Sequence, residues 1–229
     1  MKIGHIQKTS LIEYPGKISA IIFTLGCNFA CPYCHNPELV DPKRFVQPLD
    51  QDEVIAFLKK RAGQLDAVVI TGGEPMIHAD LIEFMKTIKD MGYLIKLDTN
   101  GTSPDMLTKA IEGDIVDYVA MDIKAPLERY EMVTGTPVNT DAIKSSIDLI
   151  MNARLPYEFR TTLVRSLLNP EDILTIGRMI KGAHTYILQH FVPSKHLDND
   201  FIHESSFTQE EVADLKRQLD TLVKTCIIR

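Results

Sequence analysis

Three of the four cysteines fall within eight residues, in the segment Gly-Cys-Asn-Phe-Ala-Cys-Pro-Tyr-Cys-His-Asn that runs from residue 26 to residue 36. Cys27, Cys31 and Cys34 offer soft thiolate ligands on one short loop, a donor set that binds iron–sulfur clusters or zinc. Four thiolates would complete the protein ligands of a 4Fe–4S cluster, whereas three leave one iron free to bind a substrate. The pattern therefore predicts a 4Fe–4S cluster with one open iron.

A structural zinc site with His35 as its fourth ligand is the alternative. Such sites usually join two closely spaced ligands to two distant ones, and the sequence has no second, distant pair. Adjacent ligands such as Cys34 and His35 are also awkward for one metal ion. Cys226 stands alone near the C-terminus, and we expect it to be an ordinary buried thiol on an apolar helix end.

A second motif, Thr71-Gly72-Gly73-Glu74-Pro75, follows an apolar run and is a candidate ligand site. The two glycines would allow a ligand to approach the backbone closely, and the Glu74 carboxylate could accept hydrogen bonds from an ammonium group. A glycine pair at a strand-to-helix turn also occurs for backbone geometry alone. This motif is therefore weak in isolation.

Four more motifs bring polar residues to predicted strands, and each also has a purely structural interpretation. The Asn-Gly pair that begins at Asn100 is a common turn, and Asp122 with Lys124 could be a surface ion pair at a strand end. Arg160 within an apolar strand is costly unless it is paired, and a lone histidine such as His190 is more often a satisfied core residue than a ligand. The candidate residues in these motifs are Asp98, Thr99, Asn100, Asp122, Lys124, Arg160 and His190.

Apolar, β-rich runs alternate along the chain with segments of helical periodicity. The predicted strands are Ser19–Thr24, Ala67–Thr71, Leu94–Asp98, Tyr118–Asp122, Tyr157–Val164 and Thr185–Phe191. The predicted helices are Asp50–Ala62, Ala79–Met91, Pro104–Glu112, Leu127–Val133, Thr140–Ala153, Pro170–Lys181 and Thr208–Thr225, the last with Thr208 and Glu211 as a capping box. The segments expected to be loops are Gln7–Lys17, Asn36–Leu49 and Pro193–Ser206.

Strands that alternate with helices indicate right-handed βαβ units and a parallel sheet covered on both faces. Six units favour an α/β fold of the incomplete (β/α)6 TIM-like barrel type with a curved parallel sheet, and a flat doubly wound sheet is the alternative. We expect one domain over residues 1–229, with an N-terminal segment 1–17, a barrel core 18–192, and a loop and C-terminal helix over 193–229. Parallel barrels build their active sites at the carboxyl ends of the strands, so motifs that recur there predict one shared site.

Composition excludes some classes of partner. The formal net charge of −6 argues against nucleic acid as the main partner, because a phosphate backbone attracts an excess of Lys and Arg. No apolar stretch approaches the ~20 residues that a membrane helix needs, and the first residues show no apolar signal core. We expect a cytoplasmic protein that does not bind membranes.

The spacing Cys-x3-Cys-x-aromatic-Cys resembles the cluster loop of the radical S-adenosylmethionine superfamily. The resemblance implies a 4Fe–4S cluster, with S-adenosylmethionine bound at the open iron. It also implies that Tyr33 lies beside the adenine and that Gly72-Gly73-Glu74 holds the amino group of S-adenosylmethionine. Reductive cleavage of S-adenosylmethionine would then give methionine and a 5′-deoxyadenosyl radical.

Within the superfamily, the chain resembles the glycyl-radical-enzyme activating proteins over nearly its whole length. The similar segments are the one from Lys8 to Lys17, Cys34-His35-Asn36-Pro37-Glu38, the Asp98-Thr99-Asn100-Gly101 turn and Asp122-x-Lys124. The pattern is similar to the longer form of the anaerobic ribonucleoside-triphosphate reductase activating protein and to the pyruvate formate-lyase activating enzyme. The partner implied is a glycyl radical enzyme as protein substrate, with a flavodoxin or ferredoxin-type electron donor.

By the same resemblance, Asp122 and Lys124 would contact S-adenosylmethionine, and Arg160 and His190 would line its site. Asp98, Thr99 and Asp122 would also hold a monovalent cation beside its carboxylate.

The chain departs from the family in Glu13-Tyr14-Pro15-Gly16-Lys17, where the family often has Asp-Gly-Pro-Gly-x-Arg. We expect this segment near the mouth of the site, so the departure leaves the identity of the activated partner open. The chain has no second cysteine-rich insert, and no auxiliary cluster is expected. Two other hypotheses stay open at this point: a radical enzyme acting on a small molecule or nucleoside precursor, and a non-enzymatic zinc or iron–sulfur module.

Overall fold

The computed structural model describes all residues from 1 to 229 and contains one sheet of eight strands in the sequential order β1 to β8. β1 runs antiparallel to β2, and every later pair of neighbours is parallel. The sheet starts at β1 and ends at β8 without closing. The strands are β1 (Ile3–Ser10), β2 (Ser19–Thr24), β3 (Ala67–Gly72), β4 (Leu94–Thr99), β5 (Tyr118–Asp122), β6 (Tyr157–Leu163), β7 (Tyr186–His190) and β8 (Cys226–Ile228).

Helices supply the crossovers that parallel neighbours require. The α-helices are α1 (Pro37–Val40), α2 (Gln51–Arg61), α3 (Leu81–Lys89), α4 (Pro104–Glu112), α5 (Tyr130–Thr134), α6 (Thr140–Asn152), α7 (Pro170–Met179) and α8 (Gln209–Leu219). Short 3-10 helices lie at Pro42–Arg44, Pro75–Ile77, Leu127–Arg129 and Asn199–His203. The predicted capping box of Thr208 and Glu211 is present at the start of α8.

Alternate residues of the strands pack on opposite faces of the sheet. On β3, Val68 and Ile70 belong to the main core, which the helices share, whereas Ala67 and Val69 belong to a smaller cluster with Tyr14. The four β3 side chains have no exposed surface. Burial on both faces explains the near-continuous apolar strands and confirms the predicted α/β fold with a parallel, curved and open sheet.

The sheet extends beyond the six strands that the sequence predicts. Residues 3–10 form β1, although residues 7–17 are predicted to be a loop, and residues 226–228 form β8. The last helix ends at Leu219 instead of Thr225, and Cys226 is a buried strand residue, not part of a helix end. Residues 36–49 likewise contain α1 and a 3-10 helix where a loop is expected.

The connection between β1 and β2 lies at the end of the sheet opposite the carboxyl ends of the parallel strands. Ser10 pairs with Ser19 at the start of β2, whereas Ile3 pairs with Thr24 at its end. The segment from Glu13 to Lys17 is therefore remote from the cysteine loop that follows β2, which corrects the expectation that it lies near the mouth of the site. Among all helices of the chain, none has the length and apolar character of a membrane span.

Candidate functional site

The three clustered cysteines lie on the loop after β2 and line one cavity of about 290 Å³. The loop backbone is tied down on two sides. The Gly26 amide donates to the Leu39 carbonyl at 2.7 Å, and the Ala30 amide donates to the Thr134 carbonyl, at the end of α5, at 2.9 Å. These bonds satisfy amide groups of an irregular segment and hold the thiols at the carboxyl edge of the sheet.

The donor set fits an iron–sulfur cluster better than a single metal ion. No three His, Cys, Asp or Glu side chains of the chain converge as the ligands of one ion would. The Phe29 amide points to the Cys27 sulfur at 3.4 Å, the type of contact that tunes cluster thiolates. His35 stacks instead on the His196 ring, with centroids 4.7 Å apart. This geometry disfavours zinc with His35 as fourth ligand.

Burial keeps the cysteine thiols protonated in the protein without a cluster. It raises the pKa of Cys27 to about 12 and that of Cys31 to about 11, and it also raises the pKa of Cys34. The positive charge of Lys124 acts against this rise at all three thiols. Because thiolates bind iron, cluster assembly has to release these protons, and Lys124 favours the charged form.

Gly72 and Gly73 serve the packing of β3 against the start of the cysteine loop. A Cβ at Gly73 would lie 1.9 Å from the Gly26 carbonyl oxygen, and a Cβ at Gly72, whose φ is +116°, would lie 2.3 Å from the Thr24 amide nitrogen. The Gly73 amide donates to the Thr24 carbonyl at 3.0 Å, and the Glu74 amide donates to the Gly26 carbonyl at 2.8 Å. The glycines are thus required by close backbone contact, which is the backbone-geometry interpretation that was left open beside ligand approach.

Glu74 joins the end of β3 to the end of β4. Its carboxylate accepts hydrogen bonds from the Thr99 hydroxyl at 2.8 Å, the Asn100 amide at 2.6 Å and the Met76 amide at 3.1 Å. The side chain is 1 % exposed, and this burial raises the pKa of Glu74 to about 7 despite the three donors. A carboxylate has about four acceptor positions, so one is left for a donor in the cavity.

A chain of ion pairs continues the cavity wall across β4, β5 and β6. Arg160 donates to Asp122 at 2.7 Å and to Asp98 at 3.2 Å, so its guanidinium lies between the two carboxylates. Lys96 binds Asp98 at 2.7 Å, and Lys124 binds Asp122 at 3.0 Å. Burial would raise the pKa of both carboxyls, but the neighbouring cations, Arg160 foremost, hold it below the ordinary value. The predicted pairing of Arg160 is present.

Two buried charged residues next to these ion pairs, Lys96 and Glu158, were not predicted from the sequence. Lys96 is 1 % exposed and Glu158 is 2 % exposed. The Tyr118 hydroxyl donates to Glu158 Oε2 at 3.0 Å, while Oε1 has no hydrogen-bond partner and lies 3.7–4.0 Å from Arg160, Lys96 and Arg229. The sequence does contain a signal for them. Lys96 and Glu158 lie two residues before Asp98 and Arg160, and residues two apart on a strand share one face of the sheet.

The cavity gathers every predicted site residue except His190. The His190 ring lies 3.1 Å from the Ser206 hydroxyl, and the preceding residue, Gln189, lines the cavity instead. Neighbours on a strand face opposite sides, so a shift of one residue changes which side chain reaches the site. The lining residues that were not predicted to bind the cluster or S-adenosylmethionine are Phe29, His35, Asn36, Val40, Thr71, Thr162 and Gln189.

The sequence matches the profile of the radical SAM superfamily over residues 21–180. A protein of Methanocaldococcus jannaschii that carries the provisional name glycyl-radical enzyme activating enzyme is 33% identical, over 99% of this chain and 95% of its own length. A pyruvate formate-lyase-activating enzyme of Listeria monocytogenes is 25% identical, over 79% and 76% respectively. A probable GTP 3′,8-cyclase of Pyrococcus horikoshii is 33% identical, over 54% of this chain and only 40% of its own length.

Solved structures share the fold. A domain of pyruvate-formate lyase-activating enzyme from Bacteroides vulgatus superposes with a TM-score of 0.58 at 16% identity, covering 71% of this chain and 98% of that domain. SuiB of Streptococcus suis, bound to S-adenosylmethionine, superposes with a TM-score of 0.67 at 11% identity, covering 91% of this chain and 49% of SuiB. At these identities the likeness concerns the fold alone.

Proposed function

The chain belongs to the radical SAM superfamily, and we propose that it activates a glycyl radical enzyme. The superfamily implies a 4Fe–4S cluster and S-adenosylmethionine as cofactors. The observation that carries the proposal is the cavity in which Cys27, Cys31 and Cys34 meet residues of the five parallel strands β3 to β7. The relative named as an activating enzyme aligns over nearly the full length of both chains, which supports this branch of the superfamily.

In this proposal, the three cysteines would hold the cluster, and the residues of the cavity wall would bind S-adenosylmethionine beside it. Bound and reduced, the cluster would supply the electron that splits S-adenosylmethionine into methionine and the 5′-deoxyadenosyl radical, which removes a hydrogen atom from the substrate. The substrate atom would be the Cα hydrogen of a glycine in the partner enzyme. No side chain is assigned the part of nucleophile or general base.

The wall residues would orient S-adenosylmethionine by charge and hydrogen bonding. Glu74 has one free acceptor position for the ammonium group, and Lys124 offers a cation to the carboxylate. Tyr33 is buried in the cavity wall and would pack beside the adenine, with Gly72, Gly73 and Asn100 shaping the wall. Thr99 would take part through its bond to Glu74.

A monovalent cation beside Asp98, Thr99 and Asp122, which family resemblance implies, would compete with Arg160. The guanidinium already bridges the two carboxylates, and like charges at this spacing repel. We propose Arg160 as the cation that serves these carboxylates. A flavodoxin or ferredoxin-type protein would supply the electron, and free thiols fit a reducing cytoplasm.

Conversion of a small molecule or nucleoside, with GTP as the example, is the second candidate function. It is favoured by the sequence match to GTP 3′,8-cyclases, but that match stops at 40% of the cyclase's length. The remaining 60% of the cyclase is not aligned with this chain, so the match does not extend to the whole cyclase. We therefore rank activation of a protein first.

Electron paramagnetic resonance separates the two functions. The chain is reconstituted with iron and sulfide without oxygen, reduced, and mixed with S-adenosylmethionine and a glycyl radical enzyme encoded in the same genome. A glycyl doublet on the partner supports activation. Consumption of GTP with 5′-deoxyadenosine formation, and no doublet with any partner, would overturn it.

A further inference from the structure

One segment that does not line the cavity contacts the cysteine loop. We call Ser194–Asp198 the strap, which follows β7 and precedes a 3-10 helix. The Leu197 amide donates to the Cys34 carbonyl at 3.0 Å, and the Asp198 amide donates to the Pro32 carbonyl at 2.9 Å. The strap thus reaches the cysteine loop backbone on both sides of Tyr33.

His196 completes this set of contacts at the carbonyl between the other two. Its Nδ1 lies 3.2 Å from the Tyr33 carbonyl oxygen, and the Ser194 amide donates to its Nε2 at 3.0 Å. Because Nε2 accepts a hydrogen bond, the proton of a neutral ring is on Nδ1, which donates to Tyr33. Three consecutive carbonyls of the cysteine loop are therefore bound by the strap.

Burial singles out His196 from the rest of the strap. The side chain is 1 % exposed, whereas its neighbours Ser194, Lys195 and Asp198 are exposed. The ring stacks on Phe191, with centroids 4.8 Å apart and planes at 25°, and its other neighbour is His35, with centroids 4.7 Å apart. A buried imidazole with both nitrogens bonded is a fixed anchor and is not expected in a merely solvated loop.

We propose that the strap pre-orders the cysteine loop for cluster binding and that His196 is its positioning residue. Ordering a loop costs conformational entropy, so a loop already held in shape binds its cluster more tightly. Lys195 also reaches the loop region, through Glu38 at 2.7 Å, but its side chain is 64% exposed and such surface pairs contribute little. The inference rests on the cluster assignment of the proposed function.

The first test is hydrogen–deuterium exchange of residues 26–36 in the protein without a cluster. Loss of a buried hydrogen bond in His196→Ala should accelerate exchange in this loop about tenfold and leave β4 and β5 unchanged. His196→Asn, whose amide can replace the Nδ1–H donor, should restore most of the protection. Lys195→Ala should stay within about twofold of the wild type.

The second test does not depend on folding with an altered His196. Asp198→Pro removes the amide that donates to Pro32, and Asp198→Ala keeps that amide while removing the same side chain. Only the proline variant should speed loop exchange and lower the iron retained after reconstitution. Equal exchange of the loop in wild type, His196→Ala and Asp198→Pro would overturn the proposal.

The readout is separate from the proposed function. Loop exchange is measured without cluster, S-adenosylmethionine or partner. Failure to form a glycyl radical would therefore refute the proposed function and not the proposed role of the strap. A normal glycyl radical together with unchanged loop exchange in the variants would support the proposed function and refute the proposal that the strap pre-orders the loop.

Discussion

At the scale of single residues, burial and charge at the cavity wall oppose each other. Glu74 has three hydrogen-bond donors, yet burial raises its pKa to about 7, whereas Arg160, Lys96 and Lys124 lower the pKa values of buried Asp98 and of half-buried Asp122. Neutral donors offset only part of the cost of burying a charge, and full charges offset all of it.

The raised pKa of Glu74 predicts how stability changes with pH. Between pH 4.5 and 7 the folded protein binds more protons at this group than the unfolded chain does. The stability that Glu74 contributes is complete below pH 4.5 and is lost as pH rises through 7. The wild type without a cluster should lose about 2 kcal/mol of unfolding free energy from this group between pH 5 and pH 7.5, measured by urea unfolding.

Glu74→Gln is the matched control, because glutamine keeps the size and does not titrate. Its unfolding free energy should change less between the two pH values than that of the wild type, since all other titrating groups are shared. Identical pH dependence of the two proteins would show that Glu74 does not titrate in this range.

Arg160 is predicted to stabilise the folded protein by compensating the charges of the two carboxylates that it bridges. Arg160→Met leaves Asp98 and Asp122 with one lysine each and should lower the unfolding free energy by about 3–5 kcal/mol, as measured with urea. Arg178 is the control, because it pairs with Glu171 at a surface where both side chains are at least half exposed. Arg178→Met should cost less than about 1 kcal/mol. Similar losses in both variants would contradict the buried bridge.

At the scale of elements, the Gly73 contact joins β3 to the cysteine loop. A methyl group there would lie 1.9 Å from the Gly26 carbonyl oxygen, so Gly73→Ala must separate the two segments. We expect a loss of at least about 3 kcal/mol in unfolding free energy and weaker iron binding, measured by urea unfolding and iron content. Gly182→Ala, which has a φ of +92° and no atom within 4 Å, should cost about 1 kcal/mol and keep the iron. Iron binding equal in both variants would refute this reading.

The inner elements follow from the sequence because each carries its own signal. β2 to β7 are apolar runs bounded by turn residues, and α4 occupies the predicted range Pro104–Glu112. β1 and β8 lack this signal. β1 exposes His5 and Lys8, among others, and β8 has only three residues, so both depend on a neighbouring strand for their structure.

The site was predictable where residue type and strand end coincide. The cysteines, Glu74, Asp98, Asp122 and Lys124 stand at or after strand ends, and the cavity gathers them all. The contribution of Gln189 depends on which face of β7 points inward. The strap contacts join residues more than 160 positions apart in the chain, and neither feature can be derived from local pattern alone.

At the scale of the whole molecule, the fold brings together residues from Cys27 to Gln189 at one edge of an open sheet. The loop after β2 and the parallel strands β3 to β7 each contribute residues, so the cavity exists only when the sheet is assembled. The β1–β2 connection closes the far end, where Tyr14 packs on Tyr118 with ring centroids 5.6 Å apart. One end of the sheet is thus structural and the other carries the proposed chemistry.

The most direct test of the central claim is 5′-deoxyadenosine formation from S-adenosylmethionine by the reconstituted, dithionite-reduced protein. Chromatography should detect 5′-deoxyadenosine and methionine with the wild type and with Cys226→Ala, whose buried thiol lies on β8 outside the cavity. Cys31→Ala should give neither product and should retain little iron. Product formation by Cys31→Ala equal to the wild type, or no product from wild type that carries a full complement of iron, would contradict the account.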